Sequence, residues 1–310
     1  MDVSVIIATR NRSTLLAKTL RSVLGQRGVD FEVIVVDEAS TDDTAALLAT
    51  LHDPRVRIIR HNEALGLSAA RNHGAAESSG DWLAFIDDDD LWAPDKLARQ
   101  LRAAEDARRD WVYTGAVNIE GHRIVHSRPP LPPDETVAML PRYNAIPGGA
   151  SNVAWRRAAW DEVGPFDTRF RGGEDWDMSI RLAKRSPPAW VCSPLVAKRV
   201  HSTNMFLDVG EIVRSTKLIE ASHGTQADWG RLHLWFAERY LRAGRRGEAV
   251  GQLVKAAAKG QLTGAVFTFG DMLRRRFGLV TTPDIHSTFA EDPWSATAAA
   301  WMRELPDCLR

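Results

Sequence analysis

The chain has 310 residues, and its 40 basic and 40 acidic side chains give a formal net charge of zero. This balance excludes a global electrostatic attraction to nucleic acid or to an anionic membrane. A hydrophobic fraction of 44% is enough for a substantial core, and the two separated cysteines, Cys192 and Cys308, favour a reducing compartment. No apolar run approaches the ~20 residues of a membrane-spanning helix, and the apolar start is too short for a signal peptide. We therefore expect a globular cytoplasmic protein.

Apolar runs and helical segments alternate along the first part of the chain. Residues 3–8, 31–36, 56–59 and 82–86 have the pattern of strands, and leucines and alanines recur at helical spacing between them. Strands that alternate with helices predict right-handed βαβ units and an α/β fold. Beyond about residue 208 the pattern is helical. We expect an α/β domain over residues 1–207 and a helical C-terminal extension over 208–310, which packs on that domain or on a second subunit.

Four consecutive acids, Asp87 to Asp90, directly follow the last of these strands. Adjacent negative charges repel one another and need compensation when they are buried. Mg²⁺ or Mn²⁺ provides it, because these hard cations prefer oxygen ligands and bridge carboxylates to phosphates. Side-chain alternation would place Asp87 and Asp89 on the same side, facing one ligand. The alternative interpretation is a solvated acidic loop without an ion.

Five short motifs occur in the order that is typical of family 2 glycosyltransferases. They are IIATRN at 6–11, VVD at 35–37, GLSAARN at 66–72, FIDDDD at 85–90 and GED at 173–175. The resemblance covers about the first two hundred residues. It implies a Rossmann-like mixed sheet of the A glycosyltransferase type, which binds a nucleotide-diphosphate sugar. It also implies a divalent metal and inversion at the anomeric carbon.

The resemblance assigns donor binding to residues at the ends of the strands. Asp37 matches the acid that reads the nucleotide base, and a carboxylate there can accept from a base N–H or from ribose hydroxyls. Thr9 and Arg10 match the turn that cradles the base, although Arg10 is equally consistent with a surface charge. Arg71 matches an arginine that contacts the nucleotide or the diphosphate, a role compatible with an ion pair to the acidic run.

Asp87 and Asp89 match the outer acids of the family's Asp-x-Asp motif. This match implies that Asp87 lies near the ribose and that Asp89 binds a Mn²⁺ or Mg²⁺ ion between the two phosphates. Asp88 occupies the variable middle position of the donor site, and Asp90 is assigned a structural role. His201, in the segment Lys198-Arg199-Val200-His201, matches a region where family members often place a histidine or a basic residue near the metal and the diphosphate. Imidazole can bind Mn²⁺, so His201 is included as a second metal ligand, and a surface or core histidine is the alternative.

Asp175 matches the second acid of the Glu-Asp motif, which implies that it is the general base. Inversion needs a carboxylate that takes the proton from an acceptor hydroxyl as this hydroxyl attacks. An acid in the first turn of a helix can also be only a favourable charge. The neighbours Glu174 and Trp176 are assigned to acceptor binding, and a core position is the alternative for Trp176.

The sequence departs from the family pattern after Asp37, where Glu38-Ala39 replaces the frequent Asp-Gly pair. Residues 232–259 resemble a single tetratricopeptide-like helix pair, which cannot bury its own faces alone. Residues 274–277, Arg-Arg-Arg-Phe, are interpreted as solvated surface rather than as a peripheral membrane contact.

These observations predict an inverting, metal-dependent glycosyltransferase that moves a sugar from a UDP-sugar donor to an acceptor hydroxyl. The acceptor is open, because the loops that would select a glycan, lipid-linked, peptide or small-molecule acceptor have no recognisable pattern. A nucleotidyltransferase is an alternative, although a Gly-rich, Lys-bearing phosphate loop is missing after the first strand. A non-catalytic protein that binds nucleotide sugars and recruits a partner is the other alternative.

Overall fold

The structure is a computed structural model that describes residues 1–200, 209–242, 244–266, 293–305 and 308. The chain divides into two compact units, one of residues 1–201 with 289–310 and one of residues 202–288. The residues 293–305, which the sequence assigned to the extension, therefore lie in the first unit. The predicted boundary between 207 and 208 stays a prediction.

The first unit contains one mixed sheet. Its strands, among the described residues, are β1 (Val3–Thr9), β2 (Phe31–Asp37), β3 (Val56–Arg60), β4 (Trp82–Phe85), β5 (Leu91–Trp92), β6 (Trp111–Glu120), β7 (Arg123–Arg128), β8 (Val153–Arg156) and β9 (Ala189–Arg199). They follow the order β3-β2-β1-β4-β8-β6-β9-β5, with β7 paired to β6. The first four strands are parallel, whereas β8 runs antiparallel to both β4 and β6. The predicted α/β fold with a mixed sheet is confirmed.

The helices of this unit connect and cover the strands. They are α1 (Ser13–Leu24), α2 (Thr44–Ala49), α3 (Leu67–Ala76), α4 (Lys96–Ala107), α5 (Pro133–Met139), α6 (Arg157–Val163) and α7 (Glu174–Arg185). A short 3₁₀ turn, Gly149–Asn152, precedes β8. The segment between β4 and β5 contains no helix and consists of Ile86 and the four acids.

Alternation along β1 places side chains on both faces of the sheet. Val3, Val5 and Ile7 are fully buried in a core that includes Leu16 and Leu20 of α1. On the other face α3 approaches β1 closely, because a Cβ added at Gly74 would lie 2.6 Å from Ile6 Cγ2. Such burial on both faces explains why these strands read as continuous apolar runs.

The last described helix of the first unit is Pro293–Met302, labelled α11. It packs on β7 and β9, and the Trp301 indole N–H donates to the Pro194 carbonyl at 2.7 Å. Trp294 lies so close to Gly115 that a Cβ at this position would overlap the indole ring. α11 thus contributes to the core of the first unit.

The second unit contains α8 (Val209–His223), α9 (Trp229–Arg242) and α10 (Arg246–Ala258). α9 and α10 pack against each other through Ala237, Leu253 and Ala256. The basic run at 274–277 lies outside the described residues. Within the part of the chain that the structure describes, no helix combines the length and the apolar character needed to cross a bilayer.

Candidate active site

The carboxyl ends of the parallel strands meet at one edge of the sheet and define the site. Thr9 ends β1 and is paired in register with Asp37, which ends β2. The acidic run follows β4, the other neighbour of β1. Ligands of open α/β sheets bind outside the carboxyl ends of the strands. The topology therefore brings together side chains that are up to 81 positions apart in the chain, from Thr9 to Asp90.

Asp87 lies between two cations. Arg71 on α3 is 2% exposed, and its guanidinium donates to Asp87 Oδ1 at 2.5 Å and to the Glu174 carboxylate at the start of α7. Lys198 Nζ on β9 donates to Asp87 Oδ2 at 3.1 Å. Burial acts to raise the pKa of Asp87, but Lys198 and Arg71 outweigh it and lower this pKa to about 2. Arg71 thus connects the two acidic motifs in one buried network.

Asp88 and Asp89 share a cation that the sequence analysis did not select. Arg12 Nη1 donates to Asp88 Oδ1 at 3.0 Å and to Asp89 Oδ2 at 2.7 Å, and Thr9 Oγ1 donates to Asp88 Oδ2 at 2.7 Å. Burial nevertheless raises the pKa of Asp88 to about 6. Arg10 is exposed, and no hydrogen bond or ion pair of its side chain occurs among the described residues. The polar turn after β1 contained both arginines, and only the fold distinguishes them.

Asp90 is fully buried at the end of the acidic run. The Ser151 hydroxyl donates to its Oδ2 at 2.7 Å, and the Arg199 backbone N–H donates to its Oδ1 at 3.2 Å. Lys198 Nζ is 3.6 Å from Asp90 Oδ2, farther than from Asp87. One ammonium cannot neutralise both carboxylates. Burial accordingly raises the pKa of Asp90 to about 8, while Asp87 remains ionised.

These shifts predict a pH-dependent stability of the metal-free protein. Since the folded pKa of Asp90 lies above its ordinary value, the folded chain binds the proton more tightly, and this stabilisation is lost as the pH rises from about 4 to about 8. Asp90→Asn should therefore show a smaller fall in melting temperature between pH 5 and pH 8. Thermal melts in chelator at both pH values measure the difference. Asp106→Asn on exposed α4 surface is the control, and equal slopes in wild type and Asp90→Asn would contradict the assignment.

Asp37 has one carboxylate oxygen that forms an ion pair but accepts no hydrogen bond from the described residues. Its Oδ1 accepts the Ser40 N–H at 3.0 Å. Its Oδ2 is buried and has no hydrogen-bond partner among the described residues, although Arg60 Nη1 lies 3.2 Å away outside hydrogen-bond geometry. A buried acceptor without a partner costs free energy unless a ligand satisfies it. Such an oxygen fits the donor N–H of a base or a ribose hydroxyl.

The Glu38-Ala39 departure has a structural role. Ala39 adopts the left-handed conformation with φ of 53°, which favours glycine. Glu38 is buried, accepts the Gly66 N–H at 2.6 Å, and contacts His61 Nδ1 at 2.5 Å. His61 Nε2 is in turn 2.7 Å from His73 Nδ1. Glu38 thereby connects the end of β2 with the start of α3, the helix that carries Arg71.

Asp175 lies in the first turn of α7, as the sequence predicted for it. Gly173 precedes this helix with φ of 85°, a conformation that favours glycine. Asn144 Nδ2 donates to Asp175 Oδ2 at 3.2 Å, and a Cβ at Gly149 would lie 2.6 Å from the same oxygen. Burial raises the pKa of Asp175, with Arg71 acting against it. A partly exposed carboxylate with a raised pKa suits a group that accepts a proton.

Glu174 and Trp176 flank Asp175 but point into the protein. Glu174 is buried on Arg71, and the Trp176 indole N–H donates to the Leu140 carbonyl at 2.7 Å. Their assignment to acceptor binding stays a prediction. His201 lies outside the described residues.

Three carboxylates can converge on one cation. Asp87, Asp89 and Asp90 each present an oxygen, and these oxygens lie within 4.8 Å of one another. An all-oxygen set of this kind suits Mg²⁺ or Mn²⁺ rather than a soft metal. The residues present therefore fit the predicted divalent ion.

Comparison with known proteins decides the family. A family model described as glycosyl transferase family 2 matches residues 4–164, more than half of the chain. The chain belongs to this glycosyltransferase family. Relatives include the succinoglycan biosynthesis protein ExoO of Rhizobium meliloti, which is 41% identical over 106 residues, or 34% of this chain and 30% of ExoO. The uncharacterized glycosyltransferase YwdF of Bacillus subtilis is 30% identical over 59% of this chain and 69% of YwdF. The chain thus spans less than a third of the ExoO length.

Solved structures confirm the A glycosyltransferase fold. S. aureus TarS 1-349 in complex with UDP-GlcNAc superimposes with a TM-score of 0.61 at 16% identity, over 99% of this chain and 91% of TarS 1-349. The mannosyltransferase PcManGT of Pyrobaculum calidifontis, in complex with GDP-Man and Mn²⁺, gives a TM-score of 0.51 at 19% identity over 99% of this chain and 85% of PcManGT.

Proposed function

We propose that this glycosyltransferase moves a sugar, with inversion, from a UDP-sugar to a hydroxyl of a glycan acceptor, and that a divalent ion assists. The observation that supports it best is the bridge that Arg71 forms between Asp87 and Glu174. This bridge holds the donor-side acids next to Asp175. A donor bound at the acidic run would then present its anomeric carbon to Asp175.

The donor half of the proposal rests on the groups at the strand ends. Asp37 Oδ2, which accepts no hydrogen bond from the described residues, would accept one from the base or from a ribose hydroxyl, with Thr9 beside it at the end of β1. Arg71, Arg12 and Lys198 surround the acidic run with positive charge. This charge suits the diphosphate, since a leaving diphosphate gains negative charge in the transition state. Relatives and neighbours whose names include UDP-Glc, UDP-GlcNAc and UDP support a UDP-sugar.

The metal half of the proposal rests on the convergence of Asp87, Asp89 and Asp90. A bound Mn²⁺ or Mg²⁺ supplies charge stabilisation for the leaving diphosphate. Asp89 is the carboxylate that we assign to this ion, with Asp87 toward the ribose. The Mn²⁺ in the PcManGT complex supports a divalent ion in this fold.

Asp175 acts as the base in this proposal. Asn144 donates to its Oδ2, while the neighbouring Glu174 is held by Arg71. The absence of a side chain at Gly149 leaves the space beside this oxygen open to an acceptor hydroxyl. The carboxylate takes the hydroxyl proton as the oxygen attacks the anomeric carbon. The names of the succinoglycan and colanic acid relatives support a glycan acceptor. We also propose that the protein is cytoplasmic.

Thermal shift with nucleotide diphosphates tests the site directly. In the presence of Mn²⁺, UDP should raise the melting temperature of the wild type, because a ligand that binds only the folded state stabilises it. Asp89→Asn should lose the metal-dependent part of this rise, and Asp175→Asn should keep it. A screen that includes GDP identifies the base.

The products of turnover separate the proposal from its alternatives. A glycosyltransferase releases UDP from a UDP-sugar, whereas a nucleotidyltransferase releases pyrophosphate from UTP and a sugar phosphate. UDP binding without turnover on any acceptor of a glycan library would favour the non-catalytic alternative. A wild type that gains no stability from any nucleotide, with or without Mn²⁺, would contradict the proposed function altogether.

A further inference from the structure

The Lys198 ammonium lies next to the carboxylates of the acidic run that would bind a divalent cation. It lies near the end of β9, only 8% exposed, and its Nζ is 3.1 Å from Asp87 Oδ2 and 3.6 Å from Asp90 Oδ2. These are two of the three carboxylates that converge within 4.8 Å. In this conformation the ammonium therefore lies against two of the three carboxylates that a divalent ion would need.

The acidic run is compensated by protein cations in the absence of a ligand. Arg71 and Lys198 hold Asp87, and Arg12 holds Asp88 and Asp89. A divalent ion that enters alone would place a further double charge next to a buried ammonium. Burying like charges together is unfavourable unless an anion arrives with them. A diphosphate is such an anion.

We propose that Lys198 closes the cation site of the nucleotide-free protein, so that the divalent ion binds together with the nucleoside diphosphate. Once the diphosphate is present, Lys198 exchanges its carboxylate partners for phosphate oxygens. The Asp87 carboxylate then becomes available to the metal or to the ribose. This inference rests on the proposed function, since it takes the acidic run as the metal site. It adds the residue that couples metal binding to donor binding.

Lys198 is suited to this exchange by its chemistry. A lysine ammonium is a compact point charge on a flexible stem, whereas the planar fork of Arg71 is fixed by two carboxylates. Lys198 can therefore change partners without moving a secondary-structure element. Asp90 keeps its bonds to Ser151 and to the Arg199 backbone while this happens.

Direct measurement of Mn²⁺ binding tests the proposal without any activity assay. The concentration of free Mn²⁺ is followed by electron paramagnetic resonance for wild type, Lys198→Met and Lys198→Gln, each with and without saturating UDP. We expect the wild type to bind Mn²⁺ at least about tenfold more tightly with UDP, because one neighbouring charge changes the affinity of a carboxylate for a proton by about 10- to 1,000-fold. Both variants should bind Mn²⁺ about tenfold more tightly than the wild type when UDP is absent, so that the effect of UDP becomes small.

Lys217→Met, an exposed lysine on α8 of the second unit, is the matched control and should bind Mn²⁺ as the wild type does. Asp89→Asn combined with Lys198→Met should lose the gained affinity, which locates the ion at the acidic run. Two neutral variants guard against misfolding, because Lys198→Gln retains a polar group toward Asp87 if Lys198→Met is unstable.

The outcomes distinguish this inference from the proposed function. If the wild type and both variants bind Mn²⁺ equally tightly without UDP, and all bind it more tightly with UDP, the role of Lys198 is overturned. Metal-assisted transfer would remain intact. Weaker binding in the variants without UDP would also overturn it, since Lys198 would then support the ion. If UDP binds to the wild type and to the variants but none of them takes up Mn²⁺, both this inference and the metal dependence of the proposed function are overturned.

Discussion

Replacing Asp175 by asparagine is expected to lower the rate of sugar transfer by about 10²- to 10⁴-fold, the usual contribution of a positioned general base. Asparagine has the same shape and can still interact with Asn144, so the fold of α7 should be retained. It cannot take the proton from the acceptor. Release of UDP from a UDP-sugar, with the acceptor found in the glycan screen, measures the rate. Donor affinity should stay unchanged, because the Asp175 carboxylate contacts neither Arg12 nor Asp37.

The pH dependence of the same variant separates a base from a structural acid. Burial raises the pKa of Asp175, so its basic form is populated only above this raised value. The wild-type rate should therefore rise with pH along an acidic limb, and this limb should be absent from the residual activity of Asp175→Asn. Asp106→Asn, which removes the same charge from the exposed surface of α4, should keep the wild-type profile. An Asp175→Asn rate within a few-fold of the wild type would remove Asp175 from the mechanism.

The parts of the molecule that follow from local pattern were predictable. β1, β2 and β4 are apolar runs buried on both faces, and the end of each coincides with a polar motif, whereas β3 is largely exposed. Because parallel strands align their carboxyl ends, these motifs had to meet at one edge. The position of Asp175 at the start of α7 followed from the glycines before it. Local periodicity and turn chemistry thus determine this part of the fold.

The cations around the acidic run were not predictable in the same way. Lys198 reaches Asp87 across 111 positions, and Arg12 reaches Asp88 across 76. Nothing in the spacing of these residues distinguishes them from Arg10, which is exposed. Their role follows from the sheet order, in which β9 lies beside β6 and β5 rather than next to β8. The only signal was the basic pair before His201, in the segment that the family resemblance placed near the metal.

Trp176 lies next to a motif residue but is buried, and its assignment to acceptor binding stays a prediction. Its indole is buried and donates to Leu140, since the helical spacing that exposes Asp175 turns the following position inward. The helix that begins at Pro293 is a second element whose packing partner depends on the fold. A helix of alanine and tryptophan reads as part of a helical extension, but α11 packs on β7 and β9 because these strands leave an apolar face at the edge of the sheet.

Replacing Arg71 by methionine is expected to lower the free energy of unfolding by about 3–5 kcal/mol, the usual cost of removing one partner from a buried ion pair. Methionine fills much of the space of the arginine stem but leaves Glu174 without its cation, while Asp87 retains Lys198. Burial raises the pKa of Glu174 already, so Glu174 should take up a proton in the variant. Denaturation with urea measures the loss.

The rate of sugar transfer by Arg71→Met should fall by more than the loss of folded protein alone would cause. The bridge between Asp87 and Glu174 is the contact that holds the donor acids next to Asp175, and a shift of about 1 Å in such a site can cost about 10²-fold in rate. Arg71→Lys should recover part of the stability, because an ammonium restores the charge, but little of the activity, because it cannot donate to both carboxylates as a fixed fork. Arg27→Met is the matched control, since its exposed pair with Glu304 contributes little. Arg71→Lys with wild-type turnover would show that Arg71 supplies charge only, and that the alignment of the two motifs comes from the sheet itself.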